Sequence, residues 1–105
     1  MLIIKNLSKM IKEEIRDAEK YANCALKYKD DDKVLAETFY TLSTEELKHM
    51  EMLHSQVTRL INDYKSKNGN PPETMQALYN YVHEEMMDNV REVKVLLGMY
   101  KEALK

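Results

Sequence analysis

Residues 43–54 read STEELKHMEMLH, and this stretch decides whether the middle of the chain forms one helix or two. Ser43 followed by Glu46 is a capping-box pattern, which would start a new helix at residue 43. Apolar residues at spacings of three and four nevertheless continue through Leu42 without a change of phase, which is typical of one amphipathic helix. We therefore predict a single long helix over about residues 31–66.

Two further helices are predicted on either side of this one, over about residues 7–29 and 71–104. Gly69 is expected to end the long helix, because glycine readily adopts the conformation that follows a helix C-terminus. Asn70 can cap the third helix, and Pro71 suits its first position. Since the chain has only two glycines and two prolines, little interrupts these helices.

The apolar stripe of each predicted helix marks the face expected to form the core. In the first helix the stripe consists of Leu7, Ile11, Glu14, Ala18, Tyr21 and Ala25. In the second it consists of Leu35, Phe39, Leu42, Glu46, His49, Leu53, Val57, Leu60 and Tyr64. In the third it consists of Met75, Leu78, Tyr79, Val82, Met86, Val90, Val93, Leu97 and Tyr100. The predicted fold is all-α, an antiparallel hairpin of long helices plus a third long helix, in a single domain.

Length, charge and cysteine content narrow the function classes. The chain has 105 residues, a formal net charge of −2 and one cysteine. The near-neutral charge gives no reason to expect a nucleic-acid partner, and one cysteine cannot form an intrachain disulfide. The N-terminal sequence MLIIKNL is too short in apolar residues for a signal peptide or a membrane span. We expect a cytoplasmic protein with no nucleic-acid or membrane partner.

The unequal helix lengths predict self-association. A helix of about 34 residues is roughly 50 Å long at 1.5 Å per residue, and the first helix is shorter than the other two. Part of the long hairpin's apolar surface then lacks an intrachain partner. A second copy of the chain is the simplest cover, so we expect a homodimer or a higher homo-oligomer.

The quoted stretch contains Glu-x-x-His twice, at Glu46/His49 and at Glu51/His54. Residues three apart on a helix have neighbouring side chains, so either pair could hold one metal ion. Glu46 and His49 belong to the apolar stripe, whereas Glu51 is rotated by about 140° from Glu46. We interpret Glu51/His54 as a solvated surface pair and Glu46/His49 as the candidate ligands.

Glu14 raises the same question on the first helix, because a lone carboxylate on a core face is costly unless it is paired. Glu14 lies about 15 residues before a turn near residue 30 and Glu46 lies about 16 after it, so a hairpin brings them level. Oxygen and imidazole ligands suit iron, manganese or zinc. One chain carries half of a carboxylate-bridged site, and two chains related by a two-fold axis would supply four Glu and two His.

The segments EEIRDAEKY (residues 13–21) and TEELKHMEML (residues 44–53) resemble the ferritin-like superfamily, in particular encapsulated ferritins and rubrerythrin-like di-iron proteins. The resemblance implies a bundle completed by dimerisation, with two iron ions in each shared site and oxidation of Fe(II) by oxygen or peroxide. It implies that Glu14 bridges the ions, that Glu46 and His49 ligate each ion, and that Tyr21 lies near them.

Two alternatives stay open at this point. Glu92, and after it Glu85, could supply a ligand from the third helix and allow a site within one chain. The chain could also be a non-catalytic interaction or structural bundle without metal, whose inward polar residues set register or partner choice.

Overall fold

The fold consists of three α-helices, and a computed structural model describes residues 2–105. The helices are α1 (Leu2–Tyr28), α2 (Lys33–Asn68) and α3 (Glu73–Ala103). The described residues contain no strand, so the all-helical prediction is confirmed. Over the same residues, no helix combines the length and the apolar character needed to cross a membrane.

The first and third helices begin at residues other than those predicted. α1 begins at Leu2 rather than near residue 7, because Ile4 and Leu7 extend its apolar stripe and pack against the core. α3 begins at Glu73 rather than at Pro71, and its N-cap Pro72 makes no side-chain capping bond. The expected cap at Asn70 is therefore not used.

The ends of α2 follow the sequence signals more closely. The Asp32 side chain accepts a hydrogen bond from the backbone N–H of Leu35 at 3.1 Å, which satisfies one of the free donors of the first turn. At the other end Gly69 has a φ of +78° and donates its N–H to the Lys65 carbonyl. Glycine tolerates that left-handed conformation without strain.

Ser43 lies inside α2 and does not start a helix. Its hydroxyl donates a hydrogen bond of 2.7 Å to the Ala18 carbonyl of α1, and the residue is fully buried. The capping-box alternative is therefore wrong, and the prediction of one long helix is confirmed. The hydroxyl instead joins two helices at a buried point.

Small residues allow α1 and α2 to approach closely as an antiparallel pair. Four alanines have no exposed surface, and they fill the seam together with Ser43: Ala18, Ala22, Ala25 and Ala36. Small side chains reduce the separation of packed helices, whose axes ordinarily lie about 8–10 Å apart. This seam sets the height at which residues of the two helices face each other.

α3 packs against one side of the α1–α2 pair. Glu85 of α3 pairs with Lys12 of α1 at 3.5 Å, and the Tyr100 hydroxyl donates to a Glu37 carboxylate oxygen of α2 at 2.9 Å. Tyr100 also stacks on Tyr40. The buried residues of α3 belong to the predicted stripe: Met86, Val90, Val93, Leu97 and Tyr100.

The predicted core stripe of α2 is only partly right. The buried residues of α2 are Ala36, Ser43, Leu47, Met50 and Val57. Of these, Val57 alone belongs to the predicted stripe, and the rest of that stripe lies beside the core rather than in it. The helix carries two adjacent apolar stripes, and the one with the smaller residues faces α1 and α3.

Candidate metal centre

Glu14, Glu46 and His49 come together on the α1–α2 pair and are called the Glu14 cluster below. One ligand atom from each residue lies within 4.8 Å of the other two. The His49 Nδ1 atom is 3.6 Å from a Glu14 carboxylate oxygen and 3.7 Å from a Glu46 carboxylate oxygen. The three residues that the sequence singled out therefore share one place.

The buried seam explains this meeting. Glu14 lies one turn before Ala18 in α1, and Glu46 lies about one turn after Ser43 in α2. Because the helices are antiparallel, the Ser43–Ala18 hydrogen bond fixes the level at which the two carboxylates face each other. His49 follows Glu46 at the i, i+3 spacing, which directs both side chains to the same side of α2.

The cluster is less buried than the position of its residues on the predicted core stripes implied. The exposed fraction of the side chain is 18% for Glu46, 28% for Glu14 and 55% for His49. The expectation that all three point into the core is wrong in this respect, because the cluster lies at the edge of the seam. The edge position leaves coordination positions open toward the outside.

No basic residue neutralises the two carboxylates in the part of the chain that the structure describes. The ion pairs of lysine and arginine side chains all involve other acidic residues. Among residues 2–105, His49 is therefore the only histidine, lysine or arginine that contacts Glu14 and Glu46. Two carboxylates and one imidazole at this separation form a donor set that can hold a divalent cation.

The donor set and its spacing fit a divalent metal ion. Carboxylate oxygens and imidazole nitrogens bind zinc at about 2.0–2.2 Å, so two ligands of one ion lie roughly 3–4 Å apart. The 3.6 and 3.7 Å separations fall in that range. Oxygen and nitrogen donors without thiolate accept iron, manganese or zinc.

The other predicted site residues lie outside the cluster. Tyr21 stacks on Phe39 with ring centroids 6.1 Å apart, two turns or about 10 Å along α1 from Glu14. Glu85 is paired with Lys12, on the opposite side of α1. Glu92 is exposed on α3. Within one chain, α3 therefore adds no ligand to the Glu14 cluster.

His54 does not occupy the position that the sequence analysis gave it. Glu51 is exposed as expected, but His54 is half-buried and its ring lies 5.3 Å from the His83 ring of α3. The interpretation of His54 as part of a solvated surface pair is wrong. Residues 47, 50, 54, 57 and 61 recur at spacings of three and four, and this second stripe could have placed His54 inward.

The cluster lies in a partly exposed apolar surface on the side of the hairpin away from α3, called the open face below. Its members recur at spacings of three, four or seven along α1 and α2. In α1 they are Ile3, Leu7, Met10, Glu14 and Tyr21, and in α2 they are Leu35, Phe39, Leu42, Glu46, His49 and Leu53. Ile3 and Met10 are 49% and 48% exposed. The open face is thus a largely apolar surface with the polar Glu14 cluster at its centre.

A separate cavity of about 700 Å³ opens between the first turns of α1, the end of α2 and the start of α3. Its lining includes Ile61, Met75 and Val82, with Lys5 and Lys9 also contributing. None of the three cluster residues lines it. The candidate metal centre therefore lies on the open face and not in this cavity.

Comparison with known proteins gives no significant match to a family model, to a curated protein or to a solved structure. The ferritin-like resemblance therefore rests on the two sequence segments that carry it.

Proposed function

We propose that two copies of this chain associate through their open faces and form a ferritin-like di-iron carboxylate centre that oxidises Fe(II). The observation that carries the proposal is the meeting of Glu14, Glu46 and His49 ligand atoms within 4.8 Å. One helix contributes Glu, and the other contributes Glu-x-x-His. That division is the one found in each half of a carboxylate-bridged bundle site.

The open face supports the dimer. Ile3, Met10 and Leu35 are exposed apolar residues on this face, and the face also carries an incomplete ligand set. A two-fold axis beside the cluster would place a second Glu14, Glu46 and His49 opposite the first. The combined set of four carboxylates and two imidazoles provides enough ligands for two ions. Iron ions as the occupants and a homodimer as the assembly therefore belong to one proposal.

Each side chain has a proposed task at the shared centre. Glu14 would bridge the two ions, and Glu46 with His49 would hold one ion from the side of each chain. Ferrous iron is the substrate: two Fe(II) ions lose one electron each, and one O₂ takes up two electrons and two protons to give hydrogen peroxide. With hydrogen peroxide as the oxidant, the same two electrons and two protons give two water molecules.

Tyr21 lies farther from the proposed centre than the three cluster residues. Its ring stacks on Phe39 and its distance from Glu14 along α1 is about 10 Å. A second copy packed on the open face would bring aromatic side chains of both chains near the two-fold axis. Tyr21 is proposed to pack beside the centre rather than to ligate metal.

The first test is an anaerobic Fe(II) titration of the apo-protein, with the oligomer mass measured on the same sample. We expect saturation at one iron per chain in a dimer or a multiple of dimers. Two irons per chain would place the whole site within one chain and contradict sharing. A monomer without saturable iron binding would remove the proposal.

The role of the open face has its own control in this experiment. Leu42→Glu places a charge on the face one turn from Glu46 and is expected to give monomers that lose saturable binding. Met99→Glu places the same charge on α3, which contributes no residue to the open face and where Met99 is 54% exposed, and is expected to keep both. Melting temperatures of the two variants show whether each remains folded.

The second candidate function is a structural bundle that binds no metal. In the first candidate, the di-iron centre, manganese or zinc could replace iron. The bundle alternative is favoured by the 55% exposure of His49, since exposed polar clusters often bind nothing. It expects Glu46→Gln/His49→Leu to be as stable as the parent, with or without metal. We expect instead that Fe(II) raises the parent's melting temperature and leaves the double variant's unchanged.

The matched control for that comparison is Glu51→Gln, because Glu51 is an exposed carboxylate in the same helix. It is expected to keep the whole metal-dependent rise. Running Fe(II), Mn(II) and Zn(II) on both the parent and the double variant shows which ion gives the largest rise that depends on Glu46 and His49. No rise with any of the three ions in the parent would favour the metal-free bundle.

A further inference from the structure

His54 of α2 and His83 of α3 face each other across the boundary between these helices. Their ring centroids are 5.3 Å apart and both side chains are half-buried. Tyr79 stacks on His83 at 6.1 Å, and the buried Met50 and Val57 flank His54 along α2. Two imidazoles from different helices are thus held together among apolar side chains.

This pair is separate from the Glu14 cluster. His54 lies five positions after His49, which rotates it by about 140° around α2. His49 faces the open face, whereas His54 faces α3. A ligand at one place therefore does not use the imidazole of the other.

The Nε2 atom of His54 is buried and has no hydrogen-bond partner among residues 2–105. Buried side-chain nitrogens without any partner are uncommon in native proteins, and an ordered water or an ion often accounts for them. Burial, followed by the charge of nearby His83, lowers the pKa of the His54 imidazole. The ring is therefore neutral at pH 7, and neutral imidazole is the form that binds metal.

The spacing of the two rings suits a shared ion. An imidazole nitrogen binds zinc at about 2.0–2.1 Å, so the centres of two rings on one tetrahedral ion lie roughly 5 Å apart. The observed separation of 5.3 Å agrees with that arrangement. The described residues contain no third histidine, cysteine or carboxylate grouped with this pair, so water would fill the other positions.

We propose that His54 and His83 form a second metal site, in which one zinc ion or a similar late first-row divalent ion joins α2 to α3. Imidazole without carboxylate suits zinc, nickel and copper, whereas the oxygen-rich Glu14 cluster suits iron or manganese. The two places therefore differ in donor set as well as in position. The bound ion links α3 to the hairpin and gives the buried Nε2 atom of His54 a bonding partner.

The test uses the full chain carrying His49→Ala, so that the Glu14 cluster lacks its imidazole in every sample. At a zinc concentration about 100 times the Kd, we expect Tm to rise by about 10 °C. Adding His54→Leu or His83→Leu to this chain should remove the rise. Leucine at either position is apolar and of similar size, and the second variant serves if the first does not fold.

Co²⁺ in place of Zn²⁺ provides a second readout, because its visible absorption reports nitrogen coordination directly. We expect a band that saturates at one cobalt per chain and is lost in both leucine variants. If zinc leaves Tm of the His49→Ala chain unchanged, a water rather than a metal satisfies His54. If the rise persists in both leucine variants, the ion binds elsewhere, and either result overturns the assignment. Neither result depends on iron binding at the Glu14 cluster.

Discussion

In an anaerobic titration, the His49→Ala variant is expected to bind Fe(II) about 100-fold more weakly than the parent chain. Loss of a group that merely supports a ligand already costs about 10–100-fold in metal affinity, and His49 is proposed as a ligand itself. His49 is the only imidazole within reach of Glu14 and Glu46 among the described residues. Isothermal titration calorimetry under nitrogen gives both the affinity and the number of irons bound.

The stability of this variant should barely change, which separates a binding defect from a folding defect. Substitutions at exposed positions usually alter the free energy of unfolding by less than about 0.5 kcal/mol, and the His49 side chain is 55% exposed. Glu51→Gln is the matched control, because it removes the exposed carboxylate of the other Glu-x-x-His pair. Equal iron affinity in His49→Ala and the parent would disprove the ligand assignment.

The second large effect is expected from Ser43→Leu. Ser43 is fully buried at the point where α1 and α2 approach, and its hydroxyl bonds the Ala18 carbonyl. A leucine there overpacks the seam and forces the helices apart, at a cost of about 1–3 kcal/mol in unfolding free energy. For a chain of this size that corresponds to roughly 4–20 °C in Tm.

The same substitution should weaken iron binding even where the protein stays folded. Widening the seam one turn from Glu46 separates the Glu14 and Glu46 carboxylates, which must approach a common ion. Ser55→Leu is the matched control, since Ser55 is an exposed serine of α2 that bonds only its own helix. Calorimetric unfolding and Fe(II) titration of both variants test the two effects, and equal behaviour of the two leucines would contradict the account.

The core face of the second half of the third helix could be predicted from its apolar periodicity. Its residues at Met86, Val90, Val93 and Leu97 are buried as expected. Leu78 of the same predicted stripe is nevertheless 49% exposed, so periodicity gave the buried face of this half of α3 but not how far that face extends. The core face of the hairpin helix α2 could not be predicted in the same way.

In α2 the sequence alone could not choose between two apolar stripes. The stripe with Leu42 and Leu53 was predicted to be core, but the buried stripe contains Ala36 and Ser43 together with Leu47 and Met50. Small residues carry little hydrophobic signal, yet they permit the closest helix packing. Which stripe of α2 faces α1 depends on the shape of the α1 surface. The spacing of apolar residues along the sequence does not report that shape.

The meeting of Glu14, Glu46 and His49 could be predicted from the sequence, whereas their exposure could not. Glu14 and Glu46 were predicted to be level because both lie at similar distances from the same turn, and the structure brings them together with His49. Their exposure could not be predicted, since it depends on which stripe forms the core. His54 was misplaced for the same reason, because its partner His83 lies on a helix whose side of attachment the sequence does not specify.

The seam between α1 and α2 also affects the chain entropy of assembling the Glu14 cluster. The Ser43–Ala18 hydrogen bond closes a loop of 25 positions, whereas the Tyr100–Glu37 bond that attaches α3 closes one of 63. The longer closure costs about 0.8 kcal/mol more, because loop entropy grows only with the logarithm of length. Glu14, Glu46 and His49 all lie in α1 and α2, so their meeting requires only the less costly closure.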